Sequence, residues 1–254
     1  MDARLIRSRF LKTGILLLGL VFAAAAFVIY APFASAGPAK RKAVVVELFT
    51  SEGCSSCPPA DELLGRLSGQ KSANGAEIIP LGFHVDYWDH QGWRDRFSSH
   101  DYTERQQRYA DQFKLDSPYT PQMVVDGSAE FVGSSSGRAQ EAIAQAATQP
   151  QQAEVQLSIV RDTITVQVKA TDPSLNGNVM MAMTQDNQTT NVGGGENGGR
   201  VLHHSAVVRE FQQIGKLVNG SFTGSIPRKK DLRCVVFVQS PATGSILGAA
   251  SLPL

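Results

Sequence analysis

The stretch that decides the fold is Ala43-Val44-Val45-Val46-Glu47-Leu48-Phe49-Thr50-Ser51-Glu52-Gly53-Cys54-Ser55-Ser56-Cys57-Pro58-Pro59. Its first eight residues form a nearly unbroken apolar run, rich in valine and of strand length. Bounded by Ser51-Glu52-Gly53, that run predicts a strand buried on both faces. A C-x-x-C pair follows at once, then two prolines and Leu63, Leu64 and Leu67 at helical spacing up to Gly69. The order is strand, loop, helix, with the cysteines at the helix N-terminus.

Working outward, Ile78 to Val85 predicts a second strand, and Tyr102, Tyr109, Ala110 and Phe113 trace a helical stripe. Met123-Val124-Val125 and Glu130-Phe131-Val132 flank an Asp126-Gly127 turn and predict a hairpin. Ser136 caps a helix whose Ala139, Ala142, Ile143 and Ala146 face one way. Residues 43–149 therefore read βαβαββα. From Ala153 the pattern changes: Val155, Leu157 and Ile159 alternate with polar residues, Arg161-Asp162 turns, and Ile164, Val166 and Val168 alternate back. Val179 to Met183, Val201 to Phe211, Cys234 to Val238 and Ile246 to Ala250 continue without a long helix. Residues 153–254 are expected to form a small all-β, sandwich-like domain, with Gln149 to Gln152 as the boundary.

Composition bounds the function. The 254 residues are 42% hydrophobic and 19% charged, enough apolar material for a core and no signature of disorder. Lys and Arg number 24 against 23 Asp and Glu, so no basic excess exists to hold a polyanion and no nucleic-acid partner is expected. Arg4, Arg7, Arg9 and Lys12 lead into an apolar run from Ile15 to Phe33 that ends in Ala34-Ser35-Ala36. That is the pattern of a secretory signal over residues 1–36, followed by a short basic linker, 37–42. An uncleaved anchor is the alternative, because the run approaches the roughly 20 residues that span a bilayer. Either way the rest of the chain is expected outside the cytoplasm, periplasmic or secreted, with membrane contact only if the segment is retained.

In that compartment the cysteine pair points to chemistry. A C-x-x-C that opens a helix after a buried strand fits a redox pair better than half a zinc site. The helix end stabilises a thiolate, which makes Cys54 the attacking thiol and places Cys57, one turn on, to resolve a mixed disulfide. The alternative is a plain disulfide, although a four-residue loop constrains the unfolded chain little. Glu47 lies on the buried strand seven residues before Cys54, where an isolated carboxylate would tend to hold its proton and serve Cys57 as a shuttle. Equally, its side chain could point outward at the strand end. Cys234 sits within Cys234-Val235-Val236-Phe237-Val238 and reads as a buried, inert thiol.

With Thr120-Pro121 leading into a downstream strand, this motif resembles the thioredoxin fold, which implies an α/β thioredoxin-like domain over 43–149. The same resemblance implies that Pro121 lies against the cysteines as a cis-proline and that the Thr120 backbone pairs with a bound chain. Glu47 through Asp61, together with His84-Val85-Asp86-Tyr87-Trp88-Asp89, Gly92-Trp93, Arg105-Gln106 and Tyr119 to Met123, is similar to an uncharacterised secreted family, a domain of unknown function. That family implies fold and compartment and no established reaction. Gly53 stands where thioredoxins carry tryptophan, a departure that touches substrate and poise.

Trp88 and Trp93 fall within one loop and either line a groove for an unfolded peptide or anchor that loop. His84, Asp86, Asp89 and His90 straddle a strand end but match no metal spacing, so no metal is expected. Gly193 to Gly199 contains G-x-G-x-x-G without the strand and helix a dinucleotide needs, and no cofactor is expected. The resulting expectation is thiol-disulfide exchange, with exported protein thiols or disulfides and an unidentified redox partner. A non-catalytic metal- or peptide-binding protein is the rival.

Overall fold

A computed structural model describes residues 42–72 and 75–252 of the chain. The expected signal segment, 1–36, and all of the linker except Lys42 lie outside the described residues. The valine-rich run forms β1 (Ala43–Thr50), buried at every position. It is followed by α1 (Pro58–Leu67), β2 (Glu77–His84), α2 (His100–Phe113), β3 (Gln122–Val125), β4 (Ala129–Val132) and α3 (Ser136–Thr148). β1 pairs in parallel with β2, from Ala43 opposite Glu77 to Thr50 opposite His84, and antiparallel with β3. Helix α2 begins where the Ser99 side chain accepts from the Asp101 N–H, and it stops at Lys114 in the left-handed region.

The second half is built of β5 (Ala153–Val160), β6 (Thr163–Ala170), β7 (Asn178–Gln185), β8 (Gln188–Asn191), β9 (Val201–His204), β10 (Val207–Lys216), β11 (Ser221–Pro227), β12 (Arg233–Gln239) and β13 (Ile246–Leu252). Four of these strands extend the first sheet. The order is β13-β12-β7-β10-β2-β1-β3-β4, eight strands in one mixed sheet. The seam between the halves is short: Val207 faces Gly82, and the Gly82 N–H donates to the Ala206 carbonyl at 2.8 Å.

Both faces of this sheet are covered, but by different layers. On one face α1 and α3 pack on Val44, Val46 and Leu48 of β1. Farther along, the three-stranded sheet β11-β6-β5 packs Val155, Ile164, Val166 and Val168 on Met181, Met183, Val236 and Val238. On the other face one cluster runs from Val45, Phe49, Leu81 and Phe83 to Ala182, Val208, Val235 and Phe237, and Tyr102 and Tyr109 of α2 join it. Burying one such phenylalanine contributes roughly 1.5–3 kcal/mol, so the halves share a core and not merely a border.

The expected fold class, an α/β thioredoxin-like domain followed by a separate small all-β domain, is therefore corrected. The molecule is mostly β, with three helices among the described residues. Its large mixed sheet crosses residues 149–153 without a break, and the second sheet makes part of it a β-rich sandwich. The physical reason lies in β7 and β12, which are buried on both faces and so need a cover on each side. A small free-standing sandwich would have left one face wet. The continuous apolar run of Cys234 to Val238 carried that signal, whereas β5 and β6 alternate as a sheet with one wet face does.

Candidate functional site

Cys54 and Cys57 are joined as a disulfide, with Cα atoms 5.4 Å apart, at the start of α1. β1 delivers the chain to Ser51, whose carbonyl accepts from the Cys54 N–H at 3.2 Å. Gly53 is required by close approach: a Cβ there would lie 3.0 Å from the Trp88 Cβ and 3.3 Å from the Trp88 carbonyl. Cys57 is the N-cap of α1, and Pro58 and Pro59 fill the first two helical positions, removing two N–H donors. The next two, of Ala60 and Asp61, already donate to the Cys57 carbonyl at 2.9 and 3.1 Å. The helix end thus offers few free amides to a thiolate. The Ser56 hydroxyl, 3.4 Å from the Cys54 sulfur, is one donor that reaches it.

Both cysteines are 0% exposed, while Ser55 and Ser56 face solvent. Residues from the second half of the chain bond this loop. Between β8 and β9 the glycine-rich segment crosses the cysteine loop as a strap, and the fully buried Asn197 donates from Nδ2 to the Glu52 and Cys54 carbonyls, each at 2.9 Å. Arg200 donates to Asn197 Oδ1 at 2.8 Å, and Glu196 Oε2 accepts from the Ser55 N–H at 3.1 Å. Those Ser55 bonds hold the Glu196 carboxyl below its usual range. The strap lies flat on the Gln91–Trp93 turn, so close that a Cβ at Gly194 would meet the Gly92 carbonyl at 2.5 Å.

Flanking the cysteine loop is a buried polar group. Asp61, on the first turn of α1, accepts from the Thr50 hydroxyl at 3.1 Å. His204 of β9 places Nδ1 at 4.0 Å from Asp61 and Nε2 at 3.4 Å from Glu52 Oε1, and neither ring nitrogen has a hydrogen-bond partner. Glu52 Oε1 is likewise unpartnered, while Oε2 accepts from the Trp93 indole at 2.8 Å. Asp95 accepts from the Glu52 N–H at 2.9 Å and lies 2.6 Å from His84 Nδ1. Burial pushes the Asp61 carboxyl up to about 7, with His204 and Thr50 opposing. For Asp95 burial acts upward too, but His84 and the Glu52 and Phe97 amides outweigh it and bring the carboxyl below its usual value.

The other residues marked in the sequence fall in three places. Pro121 follows a cis peptide bond from Thr120. A Cβ built at Gly133 would lie 3.3 Å from both Pro121 Cβ and Ala60 Cβ, which sets Pro121 beside the first turn of α1. Trp88 donates to the Thr120 hydroxyl at 2.9 Å, so Thr120, Trp88 and Trp93 are all tied to the rim of the cysteine loop. Glu47 is elsewhere. Strand alternation turns it to the α2 face, away from α1, where Arg105 donates to it at 2.5 and 2.9 Å and the Tyr109 hydroxyl at 2.6 Å. Neither reading of Glu47 holds: it is not an isolated acid placed to serve Cys57, nor does it point outward, but it lies fully buried in a bidentate ion pair with Arg105.

His84, Asp86, Asp89 and His90 do not converge. Asp86 accepts from Thr103 and bonds His100, and Asp89 accepts from Ser98 and the Asp95 N–H. Among the described residues no group of three or more His, Cys, Asp or Glu is placed to hold a metal. Cys234 is free and buried, and burial pushes its thiol up to about 12. Sequence reasoning missed Asn197, Glu196, His204 and Asp95. The available signal was in β9, where period-2 alternation turns Leu202 and His204 inward together.

These features define a class: a β-rich mixed-sheet protein with a C-x-x-C disulfide held at a helix start and a strap from the far half of the chain bonded to the cysteine loop. The chain belongs to the family described as Protein of unknown function (DUF1223), whose model matches residues 45–239. A crystal structure of a protein from Agrobacterium tumefaciens is similar at 28% identity and TM-score 0.69, covering 82% of this chain and 93% of that one. HBP35 of Porphyromonas gingivalis shares the fold at 19% identity and TM-score 0.54, with 84% and 76% covered. A comparison with curated proteins gives no match.

Proposed function

We propose that this is an exported thiol-disulfide exchange protein that works through Cys54 and Cys57 on thiols or disulfides of other exported proteins. The observation that carries the reading is the C-x-x-C disulfide at the start of a helix that follows directly on a buried strand. A partner thiolate attacks the Cys54 sulfur, the Cys54–Cys57 bond breaks, and Cys57 leaves with the electron pair. In reverse, Cys57 attacks the mixed disulfide and releases the partner thiolate. Cys54 is the attacked atom because it precedes the helix next to exposed Ser55 and has the Ser56 hydroxyl at 3.4 Å. Thr120, Trp88 and Trp93 border the same loop and form the surface for a bound chain, beside Pro121.

Poise follows from the surroundings. Glu52, Asp61 and Glu196 bring acid to the pair, and the two prolines remove amides, so a thiolate gains little here. An unstabilised reduced form favours the disulfide, which makes the reduced protein a donor of electrons to partner disulfides, recharged by an unidentified redox partner. Residues 1–36 supply the export signal, or a membrane anchor if retained. The complete burial of both cysteines favours a second reading, a closed structural disulfide.

A trapping experiment separates the two. Cys57→Ser expressed in the exporting cell is expected to accumulate mixed disulfides on a non-reducing gel, because the resolving thiol is gone. Cys54→Ser is expected to give none. Adduct-free lanes for both variants would end the exchange reading in favour of the structural one.

A further inference from the structure

The group flanking the cysteine loop is unusual in that three carboxylates, Glu52, Asp61 and Asp95, and two imidazoles, His84 and His204, are buried together. Most of their polar atoms are accounted for, and the exceptions concentrate beside Asp61: both nitrogens of His204 and one oxygen of Glu52. Leaving buried polar atoms without hydrogen-bond partners is costly, so a site that keeps them invites a function that moves charge. Cys57 supplies one. When the disulfide opens, its sulfur leaves as an anion in a place without solvent, and the two prolines have taken away the amides that would otherwise meet it. A buried unpaired charge is expensive, so the sulfur has to take a proton from close by.

We propose that Asp61 is the acid that protonates Cys57 as the disulfide opens. This rests on the exchange reading. Asp61 stands four residues after Cys57, and i,i+4 side chains share one helix face; the Asp61 N–H to Cys57 carbonyl bond at 3.1 Å is that turn of helix. In the recharging half-cycle a thiolate of the dithiol redox partner bonds to the Cys54 sulfur, the Cys54–Cys57 bond breaks, and the Cys57 sulfur takes the electron pair and the Asp61 proton, leaving a carboxylate. The second thiolate of that redox partner then attacks its own sulfur in the mixed disulfide, forming the redox partner's disulfide and releasing Cys54 as a thiolate. Asp61 regains its proton through the buried group. The charges facing Asp61 are Glu52 from the loop after β1, His204 from β9, and Asp95, itself paired with His84 of β2. Burial, which holds the Asp61 carboxyl up to about 7, keeps the proton available below neutrality.

The test is the rate at which dithiothreitol reduces the native protein between pH 5.5 and 8.5, expressed per reagent thiolate. For the wild type that rate is expected to be level at low pH and to fall about tenfold per pH unit above the Asp61 midpoint, as the acid form is depleted. Asp61→Asn is expected to be at least tenfold slower at pH 6 and flat with pH. Thr50→Val, which removes a hydrogen bond that favours the carboxylate, is expected to keep the profile and move its break to higher pH. An Asp61→Asn protein with the wild-type profile, or one slowed equally at every pH, would overturn the proposal, as would an unmoved break in Thr50→Val should Asp61→Asn not fold. A wild-type disulfide that resists reduction until the protein unfolds would overturn the exchange reading itself.

Discussion

A carboxylate with no exposure survives only with partners, and Glu47 has three donors: Arg105 Nε, Arg105 Nη2 and the Tyr109 hydroxyl. The pair is enclosed by Phe83, Phe211 and Phe237, whose rings lie 4.5–5.6 Å from the guanidinium carbon. Breaking such a pair leaves a buried charge unmatched. Glu47→Gln is therefore expected to lower stability in urea by about 3–5 kcal/mol, while the pH profile of disulfide reduction in the folded variant stays that of the wild type. Wild-type stability would show that the pair is not the structural tie described above. Asp61 and Glu47 are both buried acids near the cysteines in sequence, and what separates them is the face of the sheet. Glu47 meets a permanent cation at hydrogen-bond distance, whereas Asp61 meets the Thr50 hydroxyl and, at 4.0 Å, the His204 ring, which it does not hydrogen-bond.

At the scale of elements, the strap between β8 and β9 decides access to the disulfide. Its hold on the cysteine loop is three hydrogen bonds, two from Asn197 and one to Glu196. Local opening of such a segment precedes any attack on a fully buried sulfur, so the population of the open form multiplies the chemical rate. Two bonds at about 1 kcal/mol each correspond to a roughly 10- to 30-fold change in that population. Asn197→Ala is accordingly expected to speed native-state reduction by dithiothreitol about 10- to 30-fold at fixed pH, and Glu196→Gln by less, since Glu196 is exposed. Equal rates for Asn197→Ala and wild type would mean that reagents reach Cys54 without moving the strap.

On the scale of the whole molecule, continuity of the sheet and of the α2-face core makes residues 42–252 one cooperative body. Phe83 of β2 stacks edge-on against Phe211 of β10, with centroids 5.3 Å apart, and the Tyr102 hydroxyl donates to the Val208 carbonyl. The Arg105–Glu47 pair is itself braced by Gln239 from β12. Unfolding is expected as a single transition with coincident near- and far-ultraviolet dichroism curves, and residues 42–149 alone are expected not to unfold cooperatively, because β2 would lose its neighbour β10 and α2 half its core. Two separated transitions would restore the picture of independent domains. Cys234, sealed between β7 and β13, is expected to react with thiol reagents only in that transition.

Local periodicity settled what each segment becomes. Residues 43–50 had to be a covered strand, Cys54 and Cys57 had to open a helix, and Asp126-Gly127 had to turn a hairpin, because those outcomes depend on side chains a few positions apart. The assignment of Cys54 and Cys57 as the pair, and of Cys234 as a buried thiol, was legible for the same reason. Which faces meet is a long-range matter, and it was decided only by tertiary structure. Val207 reaching Gly82 turned two expected domains into one sheet, strand alternation sent Glu47 to Arg105, and Asn197 and His204, more than 140 residues from Cys54, completed the site. Periodicity shows that a side chain such as His204 is buried, but it carries no information about what that side chain is buried against.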